Sequence, residues 1–127
     1  MRGGEGLFSF PELDLRELPS SLLAYIGDEV MSLCMKLRFI KLLKPSRIER
    51  EVKKRISRKG QAAILDEIFP LLTEEEKEVV KRAMNSKIAT RHGNDPLYRK
   101  STGLEALIGY LYLKGDEGRI IEFLSRY

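Results

Sequence analysis

The 127-residue chain is 43% hydrophobic and 33% charged, a balance that excludes intrinsic disorder and suits one domain large enough to bury a core. Cys34 and His92 are its only cysteine and histidine, which excludes an intrachain disulfide and argues against thiolate metal clusters and histidine-dependent triads. The net charge of +4 conceals a segregation: residues 36–59 hold 11 Lys/Arg against two acids and residues 81–100 hold six against one, whereas the other 83 residues hold six bases and 16 acids. A basic surface of this kind fits a polyanion, nucleic acid foremost.

The opening "MRGGEGLFSFPELDLREL" lacks the apolar run and small-residue cleavage site of a secretory signal, and no segment approaches 18 apolar residues. A cytoplasmic location is therefore expected. Residues 1–17 read as an N-terminal extension to a domain over 18–127. A first helix starts after Pro19, with Ser20 or Ser21 as its cap, and carries apolar residues at Leu22, Leu23, Ile26, Val30, Leu33, Leu37 and Ile40. Pro45 stops it, and Ser46 and Glu49 have the spacing of a capping box for a second helix with a stripe of Ile48, Val52 and Ile56. A third runs from Gly60 to Pro70, and Thr73 with Glu76 box a fourth. Residues 88–100 read as a polar loop, with His92 a solvated residue in it. "STGLEALIGYLYLKG" is then a helix closed by Gly115, and "DEGRIIEFLSRY" a last one. No segment alternates as a strand, so the class is all-α.

The stretch "LAYIGDEVMSL" places Asp28 and Glu29 in an apolar helix. At 100° per residue the stripe centres near Leu23, Val30 and Leu37, and Asp28 lies roughly opposite. The face around Asp28 also carries Ala24, Met31 and Met35, so this helix is apolar nearly all round, and those three residues are expected to meet a second chain or a deep cleft. Glu29 falls at the edge of the stripe and reads as a structural neighbour. A second isolated acid, Glu105, is the sole charge between Lys100 and Lys114. Bland explanations exist for each: a salt bridge for Asp28, and for Glu105 a capping box with Thr102. Taken together, two lone carboxylates in a basic chain suit a Mg²⁺ ion beside a phosphate backbone, since that cation takes one or two carboxylates and fills its shell with water and phosphate oxygens. Spacing alone leaves open whether the two meet.

"LAYIGDEV" resembles the signature helix of the ribonuclease III family, with Ile26, Gly27 and Asp28 in its order, and "STGLEALIGYLYLKG" resembles the family's second catalytic helix, with Glu105 at its metal-binding position. With "KPSRIEREV", "ISRKGQAAIL" and "YRKST" between them, the chain is most similar to the short Mini-ribonuclease III branch, which lacks the double-stranded-RNA-binding domain. The resemblance covers residues 18 to 124. It implies an all-α, homodimeric endonuclease fold with the signature helix at the two-fold interface, where Ala24, Met31 and Met35 would lie. It implies catalytic and metal-binding roles for Asp28 and Glu105, Mg²⁺ as cofactor with Mn²⁺ able to substitute, and cleavage of double-stranded RNA, typically precursor large-subunit ribosomal RNA, leaving 5′-phosphates. Ser21, Ala24 and Thr102 stand where full-length members have further carboxylates, so fewer protein ligands hold the ion. The branch's basic Gly-Arg-Asn stretch reads "KRAMNSK" here, retaining Arg82, Asn85 and Lys87 but departing at Ala83 and Met84. Together with Lys54, Arg58, Lys59 and Arg99 these are the expected RNA contacts, made to backbone shape rather than to bases. The rival reading is a non-catalytic helical RNA-binding module, which would need neither acid.

Overall fold

The computed structural model describes residues 6–91 and 93–127 and, for Ile88, the backbone alone. His92 and the first five residues of the extension lie outside the described residues. Among those described the regular structure is entirely helical, as the patterning predicts.

Helix α1 spans Ser20–Arg38 and starts from Pro19 with no side-chain cap, so Ser20 and Ser21 lie inside its first turn rather than capping it. It ends earlier than the apolar pattern suggests, in a 3-10 turn at Ile40–Leu42 followed by Leu43 at a φ of 68°. Helix α2 (Pro45–Arg55) takes Pro45 as its first residue, where the missing N–H is no loss. That start leaves Ser46 inside the helix, and the expected Ser46–Glu49 box does not form. Helix α3 (Arg58–Ile68) begins before Gly60 because Ser57 caps it, the Gly60 N–H donating to Ser57 Oγ at 3.1 Å. Gly60 matters for packing instead. A Cβ there would overlap the Arg55 carbonyl oxygen, so only glycine closes the α2–α3 corner this tightly.

Helix α4 (Glu74–Met84) opens with the expected Thr73–Glu76 capping box, at 3.1 and 2.9 Å. The predicted loop contains a short helix α5 (Lys87–Thr90), and helix α6 (Pro96–Lys114) starts earlier than expected because Asp95 and Pro96 form a cap and first-residue pair. Gly115, at a φ of 90°, closes α6 as read from sequence. Helix α7 (Glu117–Leu124) is capped by Asp116.

Helix α6 is the centre of the core, with Leu104, Leu107, Ile108 and Leu111 wholly buried against α1, α3, α4 and α7. Its packing corrects the face assigned to α1. Ala24, Met31 and Met35 are 6%, 0% and 0% exposed within this one chain, alongside Leu23 and Gly27, and so do not face a second subunit. The opposite apolar face is the open one: Leu22, Leu33 and Leu37 are exposed and Ile26 and Val30 half-buried. The reason is steric. Only the face carrying Gly27 lets the backbone of α6 come into contact with that of α1. The described part of the extension docks on the domain, with Phe10 and Leu15 against the core and the Arg82 guanidinium donating to the carbonyls of Arg16 and, at the domain's first residue, Leu18 at 3.3 and 3.2 Å.

Candidate active site

The site begins with two glycines. A Cβ on Gly27 would overlap the Glu105 carbonyl oxygen and lie 2.8 Å from the Gly109 nitrogen. A Cβ on Gly109 would overlap the Leu23 carbonyl oxygen and lie 3.0 Å from the Gly27 nitrogen. Helices α1 and α6 thus cross with backbone on backbone, closer than any side chain permits. Asp28 follows Gly27 on α1, and Glu105 precedes Gly109 by one turn on α6, so the crossing brings the two carboxyl groups into contact at its rim.

The electrostatics follow from that placement. Burial, and secondarily the Asp28 charge beside it, push the Glu105 carboxyl up to about 8, against a smaller opposing hydrogen bond from Gln61. Asp28 stands at the exposed end of the pair. Two carboxyl groups held together, one raised by burial and further by the charge of the other, form a donor set suited to a hard divalent cation, which would relieve the repulsion between them. Among the described residues no third His, Cys, Asp or Glu joins them, so water and substrate would complete the shell of any such ion.

The alternative explanations for both acids fall away. Thr102 lies within α6, well past its Asp95 cap, and donates to the Tyr98 carbonyl at 3.1 Å, so Glu105 has no capping role. Among the described residues Asp28 forms no salt bridge, and its neighbour is Glu105. Glu29 is exposed and lines an apolar groove on the other side of α1 with Ile26, Val30, Leu33, Leu37 and Ile121.

Three groups escaped the sequence reading. Gly109 was legible only as a small residue one turn after Glu105. Gln61 was legible only as a lone amide before the apolar run "AAIL", yet it is 3% exposed and bonds Glu105. Tyr127 gave no signal at all; Arg38 folds the C-terminus back by donating to the carbonyls of Leu124 and Tyr127 at 2.8 and 3.4 Å. Burial and then the nearby Glu105 charge push the Tyr127 phenol up, and its buried hydroxyl has no hydrogen-bond partner among the described residues.

The basic residues divide into two sets. Lys54, Lys59 and Lys87 are exposed, and Arg58 stacks over the Tyr98 ring at 4.7 Å with its guanidinium near Asp95. Arg82, Asn85 and Arg99 commit polar atoms to the protein itself: Arg82 to the N-terminal segment, and Arg99 to the Met84 carbonyl and Asn85 Oδ1, both at 2.8 Å. Lys87 and Arg91 still line a polar cleft with Arg82, Asn85 and the start of α1.

Comparison with known proteins accords with this geometry. The Ribonuclease III domain family matches residues 21–116, a span that contains both acids and both glycines. The Mini-ribonuclease 3 of Brevibacillus brevis is 40% identical over 109 residues, 83% of this chain and 81% of that protein, and the one from Symbiobacterium thermophilum is 37% identical over 112 residues, 85% and 86% of the two. A crystal structure of a Fusobacterium nucleatum protein, 30% identical, superposes with a TM-score of 0.79 over 90% of this chain and 94% of that one. An acid pair held at a glycine crossing, in a chain matching this domain over most of its length, places the protein in the ribonuclease III family, in its Mini-ribonuclease III branch.

Proposed function

We propose that the chain is a Mg²⁺-dependent endoribonuclease for double-stranded RNA, with residues 18–127 as its catalytic domain and Asp28 and Glu105 as its metal-holding acids. The observation that carries this reading is the contact of those two carboxyls across the α1–α6 crossing. A Mg²⁺ or Mn²⁺ ion bound there would supply polarisation of a phosphoryl oxygen and a more acidic water. The protein's own share is to hold both acids on rigid helices, with Asp28 open to solvent and Glu105 half-buried behind it. Lys54, Arg58, Lys59 and Lys87 are the RNA contacts best supported by their exposure. Arg82, Asn85 and Arg99 shape the neighbouring loop.

The active form in this proposal is a homodimer built on the open face of α1. Leu33 and Leu37 are 45% and 56% exposed there, and Ile121 of α7 is 67% exposed across the same groove. Contiguous apolar surface of this kind is usual at an interface and unusual on a lone chain. Two sites related by the two-fold would each cut one strand, leaving 5′-phosphates, and precursor large-subunit ribosomal RNA in the cytoplasm is the proposed substrate. No helix among the described residues is long and apolar enough to cross a membrane.

The test is cleavage of an end-labelled RNA duplex with and without Mg²⁺, for the wild type and Asp28→Asn. Metal-dependent cleavage lost in the variant supports the proposal. Equal cleavage by the two chains refutes the role of Asp28, and duplex binding without any cleavage indicates a non-catalytic RNA-binding module.

A further inference from the structure

Helix α1 begins without a cap. Pro19 at its N-cap offers no side-chain acceptor, and among the described residues the Ser20 and Ser21 N–H groups have no hydrogen-bond partner. The first turn carries no acid either. Orphaned N–H groups at the positive end of a 19-residue helix favour an anion. The Ser20 side chain points the same way. Ser20 is 8% exposed and lines an open cleft, yet its hydroxyl has no hydrogen-bond partner among the described residues. A buried hydroxyl left unpaired by the protein calls for a ligand that pairs it.

The facing wall of the cleft is cationic. Lys87 and Arg91 stand one turn apart, on α5 and at its end, both exposed and without an ion pair among the described residues. No acid is among the described residues that line the cleft. The walls are fixed to each other: Arg82 donates to the carbonyls of Arg16 and Leu18 at 3.3 and 3.2 Å and so holds the start of α1 to the end of α4. Uncapped N–H groups, a buried hydroxyl and two unpaired cations converge on one space. A phosphate group, anionic and rich in acceptors, matches that donor set.

Its position bears on the reaction. Seven residues turn a helix by about 700°, so Ser21 lies two turns before Asp28 on the same exposed stripe, with Tyr25 between them. The cleft therefore opens about 10 Å along α1 from the acid pair. We propose that it is a subsite for a backbone phosphate of the RNA strand being cut, a few nucleotides from the scissile bond, bound by the Ser20 and Ser21 N–H groups, the Ser20 hydroxyl and Arg91. The inference rests on the endoribonuclease reading above and adds an anchor that fixes where the strand meets Asp28 and Glu105.

Pro19→Asp separates binding from folding by sign. Residue 19 has the extended backbone of an N-cap, with φ −63° and ψ 147°, so an aspartate there accepts from the first-turn N–H groups and stabilises α1. The same carboxylate repels a phosphate. Arg91→Gln removes an exposed cation and leaves the fold untouched. The experiment measures the Kd of a fluorescein-labelled RNA duplex by anisotropy in EDTA, across a salt series, for the full-length wild type and both variants, with a thermal melt of each. Each variant should raise the Kd about tenfold, and Arg91→Gln should make the salt slope shallower by about 1. Melting temperatures should stay within a few degrees of the wild type or rise for Pro19→Asp. In ¹⁵N-labelled wild type, which needs no variant, the Ser20, Ser21 and Arg91 amide resonances should move on adding the duplex and on adding inorganic phosphate.

Unchanged duplex affinity in both variants would overturn the subsite and leave the acid pair standing. Amides that answer inorganic phosphate but not the duplex would overturn the assignment to the RNA backbone in favour of a free phosphate. Duplex affinity that falls in both variants, with a wild type that never cleaves in Mg²⁺, would support the subsite and overturn the catalytic reading. A wild type that binds no duplex would overturn both.

Discussion

Gly27→Ala tests the crossing on which the site depends. The added methyl would overlap the Glu105 carbonyl oxygen and lie 2.8 Å from the Gly109 nitrogen. Both are backbone atoms of a helix packed against α3 and α4 on its other sides, so no change of rotamer relieves the contact. The helices must part by more than about 1.5 Å to regain ordinary van der Waals spacing. Alanine is the better helix former by about 1 kcal/mol, whereas overpacking against an unyielding neighbour costs about 1–3 kcal/mol. The two effects leave a net loss of up to about 2 kcal/mol, read as a lower urea midpoint at unchanged m-value. The effect on cleavage should be larger. Asp28 is the next residue, so the displacement passes straight into the acid pair, and a misplacement of about 1 Å lowers a rate on the order of 100-fold. Gly109→Ala should behave alike, and the double variant should lose less than the sum, because helices already parted for one methyl have room for the second. The reasoning fails if Gly27→Ala matches the wild type in urea midpoint and in cleavage rate of an RNA duplex at saturating Mg²⁺.

Glu105 gives the pH dependence. Its folded-state carboxyl keeps a proton that the unfolded chain releases, so metal-free stability should fall as pH rises from the ordinary 4.5 to about 8. Melting in EDTA across that range should show the decline, Glu105→Gln should flatten it, and a decline of equal size in the variant would assign it elsewhere. Arg119→Met removes the guanidinium that bonds the buried Glu76 at 2.7 and 3.0 Å and the Leu71 carbonyl at 2.9 Å. Stranding that carboxylate should cost about 3 kcal/mol near neutrality. The Arg119 bonds hold the Glu76 carboxyl below its ordinary 4.5, so their contribution is present above that value and lost as pH falls through the folded-state one; a penalty that does not shrink in acid would contradict the pairing. Leu33→Asp puts a charge on the open apolar face, and sedimentation at micromolar concentration should report dimer for the wild type and monomer for the variant. A wild-type monomer, or a dimeric variant, would remove this face as the interface.

The helical class, the Thr73–Glu76 box and the Gly115 stop were legible because each is fixed by neighbours in sequence. The α2–α3 boundary and the start of α6 were misplaced by a few residues. There, a nearby cap, Ser57 or Asp95, outweighed the glycine and loop-like composition that suggested otherwise. The acid pair was legible from its incongruity, as two isolated charges in apolar helices. The groups beneath it were not. Gln61 reaches Glu105 from another helix, and Tyr127 is brought near by Arg38 at the far end of α1; neither relation has any local signature.

The inverted face of α1 has a physical lesson. On a helix that is apolar all round, hydropathy does not distinguish the inner side from the outer, because Leu33 and Met31 are alike to it. What distinguishes them is how near a neighbouring backbone can come. Gly27 admits α6 to contact, whereas Val30 and Leu33 on the other face would hold it away, so the side with the glycine becomes the core and the bulkier side is left open. The same choice places the two acids. A residue directly after the glycine is turned 100° from the contact, to the rim of the crossing rather than into it. An acid one turn before the opposing glycine stands at that rim from the other helix. Gly27-Asp28 and Glu105 with Gly109 are therefore a single device, in which the glycines set the helix separation and the acids inherit their spacing from it. Burial then raises Glu105, and the repulsion it shares with Asp28 is what a bound cation would relieve.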